Sequence, residues 1–302
     1  MRILALHRTD MYMAEVVPNY SGSMVRALRD LGHEVISAPK TQDRNRNFDG
    51  IDLVIDIDCG RNAAGDLLWI AREGPLPVPS AVVFIDSHGH PSDHRRVAKN
   101  YDHVFFAVFD KRDLFEKHPS AHWCPNFTDL RWFDRNLAGA VVPGNERKDF
   151  GMFGSKGGLK RADPMKEICD KNGWTYDVRQ IGASNKHAWP STLHSMTNCK
   201  FLFNRAQKHD GPNLRVFESM AACRPLISDF DPRSGMDKLF TAGGHYMPFE
   251  YFDPWNGMEE AMKWCMDNQS EANLIAEAAY QEVKKNHLVE NRVKQIIEVV
   301  RQ

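Results

Sequence analysis

Two carboxylates, Asp210 and Glu218, stand eight positions apart around the tripeptide Gly211-Pro212-Asn213. Gly211 and Pro212 bend the chain, and Asn213 is placed to cap a helix that Leu214, Phe217, Met220 and Ala221 trace at helical spacing. A helix start leaves backbone N–H groups free and carries the positive end of the helix dipole. Those amides attract a pyrophosphate, and carboxylates on either side accept hydrogen bonds from ribose and sugar hydroxyls. The constellation therefore suits a nucleotide sugar. A turn-forming aspartate beside a solvated helix glutamate is the other reading of the same acids.

Basic residues gather at two further places. The run Gly154-Ser155-Lys156-Gly157-Gly158-Leu159-Lys160-Arg161 lets the backbone approach a phosphate closely and supplies Lys156, Lys160 and Arg161 to neutralise it. It is not a P-loop, which needs lysine directly after the second glycine and a hydroxyl after that. Arg205 and Lys208 follow the apolar run Phe201-Leu202-Phe203 and are two more phosphate candidates.

The most polar stretch is Asp86-Ser87-His88-Gly89-His90-Pro91-Ser92-Asp93-His94. It admits two chemistries. His88, His90, Asp93 and His94 resemble the H-x-H-x-D-H of metallo-β-lactamase-like hydrolases, which would make this a metal centre. Both Pro91 and Ser92 separate His90 from Asp93, however, so the spacing is one residue too long. As the loop at the end of a strand, the same run offers Asp86 and His88 as a general base or an acceptor-binding pair without metal.

The elements that position these residues alternate. Ile3–Leu6 reads as a strand, followed by a helix carrying Met24, Val25, Leu28 and Leu31, capped by Ser21 or Ser23 and ended by Gly32. Strands follow at 33–38, 51–57, 82–85 and 103–108, with a helix at 63–71. A second series runs through a strand at 149–153, a helix from Asp163-Pro164, strands at 174–181 and 200–203, the Asn213-capped helix and a strand at 225–228. It closes with a strand at 243–249, a helix at 255–267 and an apolar helical stripe of Val289, Val293, Ile296, Ile297 and Val300. Strands that are apolar runs, alternating with helices, imply parallel sheets covered on both faces. The strands flanking the Asn213 helix become parallel neighbours, and ligands in such units bind at the carboxyl ends of strands. The first loop, after His7, has no G-x-G-x-x-G, which disfavours a dinucleotide enzyme.

The segment DGPNLRVFESMAACRPLISD, Asp210 to Asp229, resembles the donor-binding segment of GT-B glycosyltransferases of the family 1/4-like group, and within it the spore maturation CgeB-like branch with its R-V-F-E-A-M-A pattern. Asp210 stands where the first acid is usually Glu, and Arg224 lies near where a glycine is common. The resemblance implies an α/β fold of two Rossmann-like domains facing a cleft: 1–135 on the acceptor side, 136–285 binding the nucleotide sugar, and a terminal helix at 286–302 packing back on the first. It implies a hexosyl- or pentosyltransferase, metal-independent and retaining, with no cofactor beyond the nucleotide-sugar co-substrate. Asp86, His88 and Asp210 would be catalytic. Glu218, Gly211, Pro212, Asn213, Lys156, Lys160, Arg205 and Lys208 would bind the donor, with Glu218 on the ribose hydroxyls. The acceptor is left open among glycan, protein, metabolite and modified nucleobase. The rivals are the metal-dependent hydrolase of the His88–His94 loop and a silent sugar-nucleotide-binding protein.

Composition agrees with two cores. The chain has 302 residues, 42% of them hydrophobic, and 39 basic against 40 acidic side chains, so no global charge recruits nucleic acid or membrane. Six cysteines without a C-x-x-C pair read as reduced core residues of a cytoplasmic protein. The opening MRILALH reads as a strand rather than a signal peptide, and no apolar run is long enough to span a bilayer.

Overall fold

The structure, a computed structural model, describes residues 1–7, 19–39, 47–57, 75–85, 91–137, 139–154, 156–180, 189–206, 211–250 and 254–302. The chain forms two compact units, one of Met1–Asn126 with Val289–Gln302, the other of Phe127–Leu288. Their limits lie at 126/127 and 288/289, where the resemblance placed them at 135/136 and 285/286. The short helix Leu130–Phe133 belongs with the second unit because Phe133 is buried in that unit's core.

The first unit contains β1 (Arg2–His7), α1 (Tyr20–Asp30), β2 (Glu34–Pro39), β3 (Leu53–Ile57), β4 (Ser80–Phe84), α2 (Pro91–Ala98), β5 (His103–Phe106) and β6 (Ala121–Trp123). The six strands make one sheet in the order β2-β1-β3-β4-β5-β6, every pair parallel. Every residue of β3 and β4 is buried, as strands covered on both faces require. The cap of α1 is Asn19, whose side chain accepts from the Gly22 amide at 3.2 Å. Ser21 and Ser23, the caps expected from sequence, instead lie buried inside the helix. The terminal helix Val289–Val300 packs on α1 in this unit and buries Val289, Val293, Ile296 and Ile297. Its buried Arg292 donates from Nε to the Pro125 carbonyl at 2.8 Å, and Gln295 donates to the Trp123 carbonyl at 2.8 Å.

The second unit contains α3 (Leu130–Phe133), β7 (Lys148–Gly154), α4 (Asp163–Asn172), β8 (Tyr176–Gln180), α5 (Trp189–Thr197), β9 (Cys199–Asn204), α6 (Leu214–Ala221), β10 (Leu226–Phe230), β11 (Met247–Glu250), α7 (Pro254–Asp267) and α8 (Gln269–Asn286). Its sheet runs β11-β10-β9-β7-β8, again all parallel. Alternate strand residues supply two cores. Leu202 and Leu226 pack with Val216, Phe217, Met220 and Ala221 of α6, while Phe201, Phe203 and Ile227 pack with α4 and α7 through Met165, Ile168, Met258 and Met262. The approach of β7 to β9 needs a glycine, because a Cβ on Gly151 would sit 2.6 Å from Cys199 Sγ. Buried Arg224 ties the segment before β7 to this core. It pairs with Glu146 at 2.6 Å and donates to the carbonyls of Val141 and Thr197, each at 2.6 Å.

Candidate functional site

In the second sheet the chain passes from β7 to β8 on one side and then to β9 on the other, so the connections diverge between β7 and β9. In open parallel sheets the carboxyl edge at such a switch is where ligands bind. Three segments of the second unit meet on this edge. Past β7, Lys156–Ala162 forms a 3-10 helix where an open glycine loop was expected. Past β9 come Arg205 and Ala206, and past β10 come Asp231 and the 3-10 turn Pro232–Ser234.

Between β9, β10 and the start of α6 lies a pocket lined by Asn204, Ala206, Gly211, Pro212, Val216, Ser228, Asp229, Asp231, Ser234 and Met236. Gly211 has φ +66°, a left-handed conformation that suits glycine and turns the chain into the helix. Asn213 caps α6: its side chain accepts from the Arg215 amide at 3.0 Å and donates to Asn204 Oδ1 at 3.0 Å. Asn204 in turn donates to Ser228 Oγ at 3.1 Å. The two lining carboxylates are both buried. Asp229 accepts the Ala206 amide on both oxygens, at 3.0 and 2.9 Å, and Asp231 accepts from the Arg233 backbone and guanidinium at 2.9–3.1 Å. Burial pushes the Asp229 carboxyl from its ordinary 3.8 up to about 6, against the pull of the Ala206 amide and the Arg205 charge.

The residues singled out in the sequence distribute as follows. Gly211 and Pro212 line the pocket, and Asn213 caps the helix beside it. Arg205 sits at the β9 exit, where its carbonyl accepts from Arg161 Nη1 at 2.8 Å, so the basic run after β7 and the strand end after β9 do meet. Lys160 is exposed in the 3-10 helix, and the backbone of Lys156 begins that helix. Glu218 is buried on α6 and does not line the pocket; Arg215, three residues back, engages its carboxylate. Burial outweighs that partner and lifts the carboxyl from 4.5 to about 7. Asp86, His88, Lys208 and Asp210, with the Lys156 side chain, lie outside the described residues.

Two residues of the metal reading are engaged elsewhere. His94 is buried with its ring stacked 4.4 Å from Phe84, and Asp93 pairs with Arg96 at 3.3 Å. His7, at the end of β1, is also buried and bonds Ser37 Oγ at 2.7 Å. The glycine-like position near the end of α6 is Cys223 rather than Arg224. It has φ +53° and is the sole non-glycine with positive φ among the described residues.

The family model described as glycosyl transferase-like matches residues 130–298, more than half of the chain, and its span includes the whole pocket. The chain belongs to this glycosyl transferase-like family. It is thus a glycosyltransferase, and solved structures of such enzymes share its two-sheet fold. Sucrose-phosphate synthase from Thermosynechococcus elongatus is similar with a TM-score of 0.64 and 11% identity over 100% of this chain and 98% of that one. A glycosyltransferase from Rickettsia africae aligns at 0.60 and 11% identity over 99% and 97%. HepE of Anabaena, solved in complex with UDP-glucose, aligns at 0.60 and 11% identity over 100% and 99%. No curated protein sequence matches this one. Among the residues lining the pocket of this glycosyltransferase, Asn204, Ser228, Asp229 and Asp231 are ones that sequence reasoning missed. Only the ends of apolar runs marked them.

Proposed function

We propose that the protein transfers a sugar from a uridine diphosphate-type donor to an acceptor hydroxyl, without a metal and with retention at the anomeric carbon. The observation that carries this reading is the β9–β10 pocket beside the capped start of α6, with Arg161 and Arg205 joined across the neighbouring switch point. The UDP and UDP-glucose complexes of the structural neighbour from Anabaena support the choice of nucleotide.

In this reading the bond from the anomeric carbon to the phosphate oxygen breaks, and its electron pair leaves with the diphosphate. Lys156, Lys160, Arg205 and Lys208 stabilise that developing charge, as a metal ion does in other transferases. The acceptor oxygen attacks the same face, and its proton passes to the departing phosphate oxygen. Asp210 contacts the donor sugar. Glu218 takes the ribose hydroxyls, a role supported by the sequence resemblance and not by the pocket lining. Asp86 and His88 of the first unit orient the acceptor. The six cysteines without a C-x-x-C pair support a cytoplasmic site of action; among the described residues no helix is long and apolar enough to cross a membrane.

Thermal shift with a panel of nucleotide sugars tests the proposal, because a bound donor raises stability by mass action. UDP-sugars should raise the melting temperature and chelator should leave turnover intact. Stabilisation by none of the panel, or turnover abolished by chelation, would count against it.

A further inference from the structure

The three residues at the exit of β9 are held from β10, from the start of α6 and from the segment after β7. The Asn204 side chain is fixed between Ser228 Oγ on β10 and Asn213 Nδ2 at the start of α6, at 3.1 and 3.0 Å. The Arg205 carbonyl is held from the β7 side by Arg161 at 2.8 Å. The Ala206 amide is held from the β10 side by both oxygens of Asp229. The Arg161 and Asp229 holds each include a charged group and are stronger than the neutral bonds on Asn204. A buried carboxylate is costly to keep. Asp229 is buried, lines the pocket and meets no cationic side chain within hydrogen-bonding distance among the described residues; Arg205 acts on it only through charge. Its two oxygens are spent on one backbone amide and on Ser228 Oγ, which lies 3.4 Å from one of them.

The geometry points to Asp229 as a positioning residue for the donor's diphosphate: by gripping the Ala206 amide it fixes the strand exit that carries Arg205. This rests on the donor reading given above. Asp229 does not touch the phosphates itself, since a carboxylate would repel them. It acts through the backbone of 205–206, so its loss should be felt by a ligand bearing phosphates and hardly by a bare nucleoside.

Calorimetric titration with UDP and with uridine tests this on Asp229→Ala and Asp229→Asn. Asp229→Ala should lose at least tenfold in UDP affinity while uridine affinity stays within twofold. Asp229→Asn keeps one oxygen able to accept the Ala206 amide and should restore UDP binding to within about threefold of the parent. If the alanine variant does not fold, Asp229→Ser, too short to reach that amide, carries the same comparison. Parent-like UDP affinity in a folded alanine or serine variant overturns the proposal, and so does an equal loss for UDP and uridine, which marks a merely structural role. If the parent protein binds neither UDP nor any UDP-sugar, the donor reading falls and this inference falls with it.

Discussion

Glu218→Gln should make the protein's stability less sensitive to alkaline pH, and Glu218→Ala should weaken donor binding. The carboxyl is buried, and desolvation raises it from 4.5 to about 7 despite Arg215. Between those values the folded chain keeps a proton that the unfolded chain has released, so stability is fully present below 4.5 and is lost as pH rises through about 7. At about 1.4 kcal/mol per pH unit the whole window is worth about 3 kcal/mol, of which about 2.5 falls between pH 5 and pH 8. Glutamine has the same shape and no charge to desolvate, so this loss disappears in the variant. The interaction of glutamine with Arg215 does not change with pH and cancels in the comparison, and the parent's ion pair with Arg215 is already contained in the value of about 7. Urea unfolding of parent and variant at pH 5 and pH 8 is the assay. The stability difference, variant minus parent, should move by about 2.5 kcal/mol in the variant's favour on going to pH 8. In Glu218→Ala, which removes the acceptor altogether, UDP affinity should fall by about 1.5–3 kcal/mol, the range for losing a hydrogen bond to a charged group. An unchanged stability difference between the two pH values would refute the reasoning, because it would mean that Arg215 keeps the carboxylate ionised throughout.

Lys160→Ala and Arg205→Ala should each lower turnover more than they lower uridine affinity, since the charge they meet is on the phosphates; parallel losses for uridine and UDP would make them structural. Asp86→Ala and His88→Ala should impair transfer to acceptor with donor affinity near normal, and a matching loss of donor affinity in calorimetry would remove them from the acceptor side. Glu146→Ala leaves Arg224 buried without its partner and should destabilise the second unit by about 3–5 kcal/mol in urea titration. A change under 1 kcal/mol would show that the Val141 and Thr197 carbonyls suffice.

How much of this was legible in the chain depends on the range of the interaction. Apolar runs gave the parallel strands from β1 to β11 with only β6 overlooked, because a three-residue strand with half-buried Ala121, His122 and Trp123 has no periodicity to read. The Asn213 cap and the helix behind it were visible because a cap and its amide are two residues apart. The α1 cap was misplaced to the serines by the same local logic, since nothing local distinguishes a serine that caps from one buried in the first turn.

The acids show the limit most clearly. Asp210 and Glu218 attracted attention because their spacing is a sequence property, yet burial turned Glu218 toward Arg215 and away from the pocket lining. Asp229 carried no sequence signal beyond ending an apolar run. Its partner, the Ala206 amide, is 23 residues away and comes within reach only because β9 and β10 pair in parallel register with Ser228 beside Asn204. The sequence by itself determined the alternating elements, the helix start and the family pattern, all set by contacts within a turn or two of chain. Only the tertiary structure decided which carboxylate lines the pocket and which basic side chain reaches the strand exit, because strand order and burial, not spacing, bring those groups together.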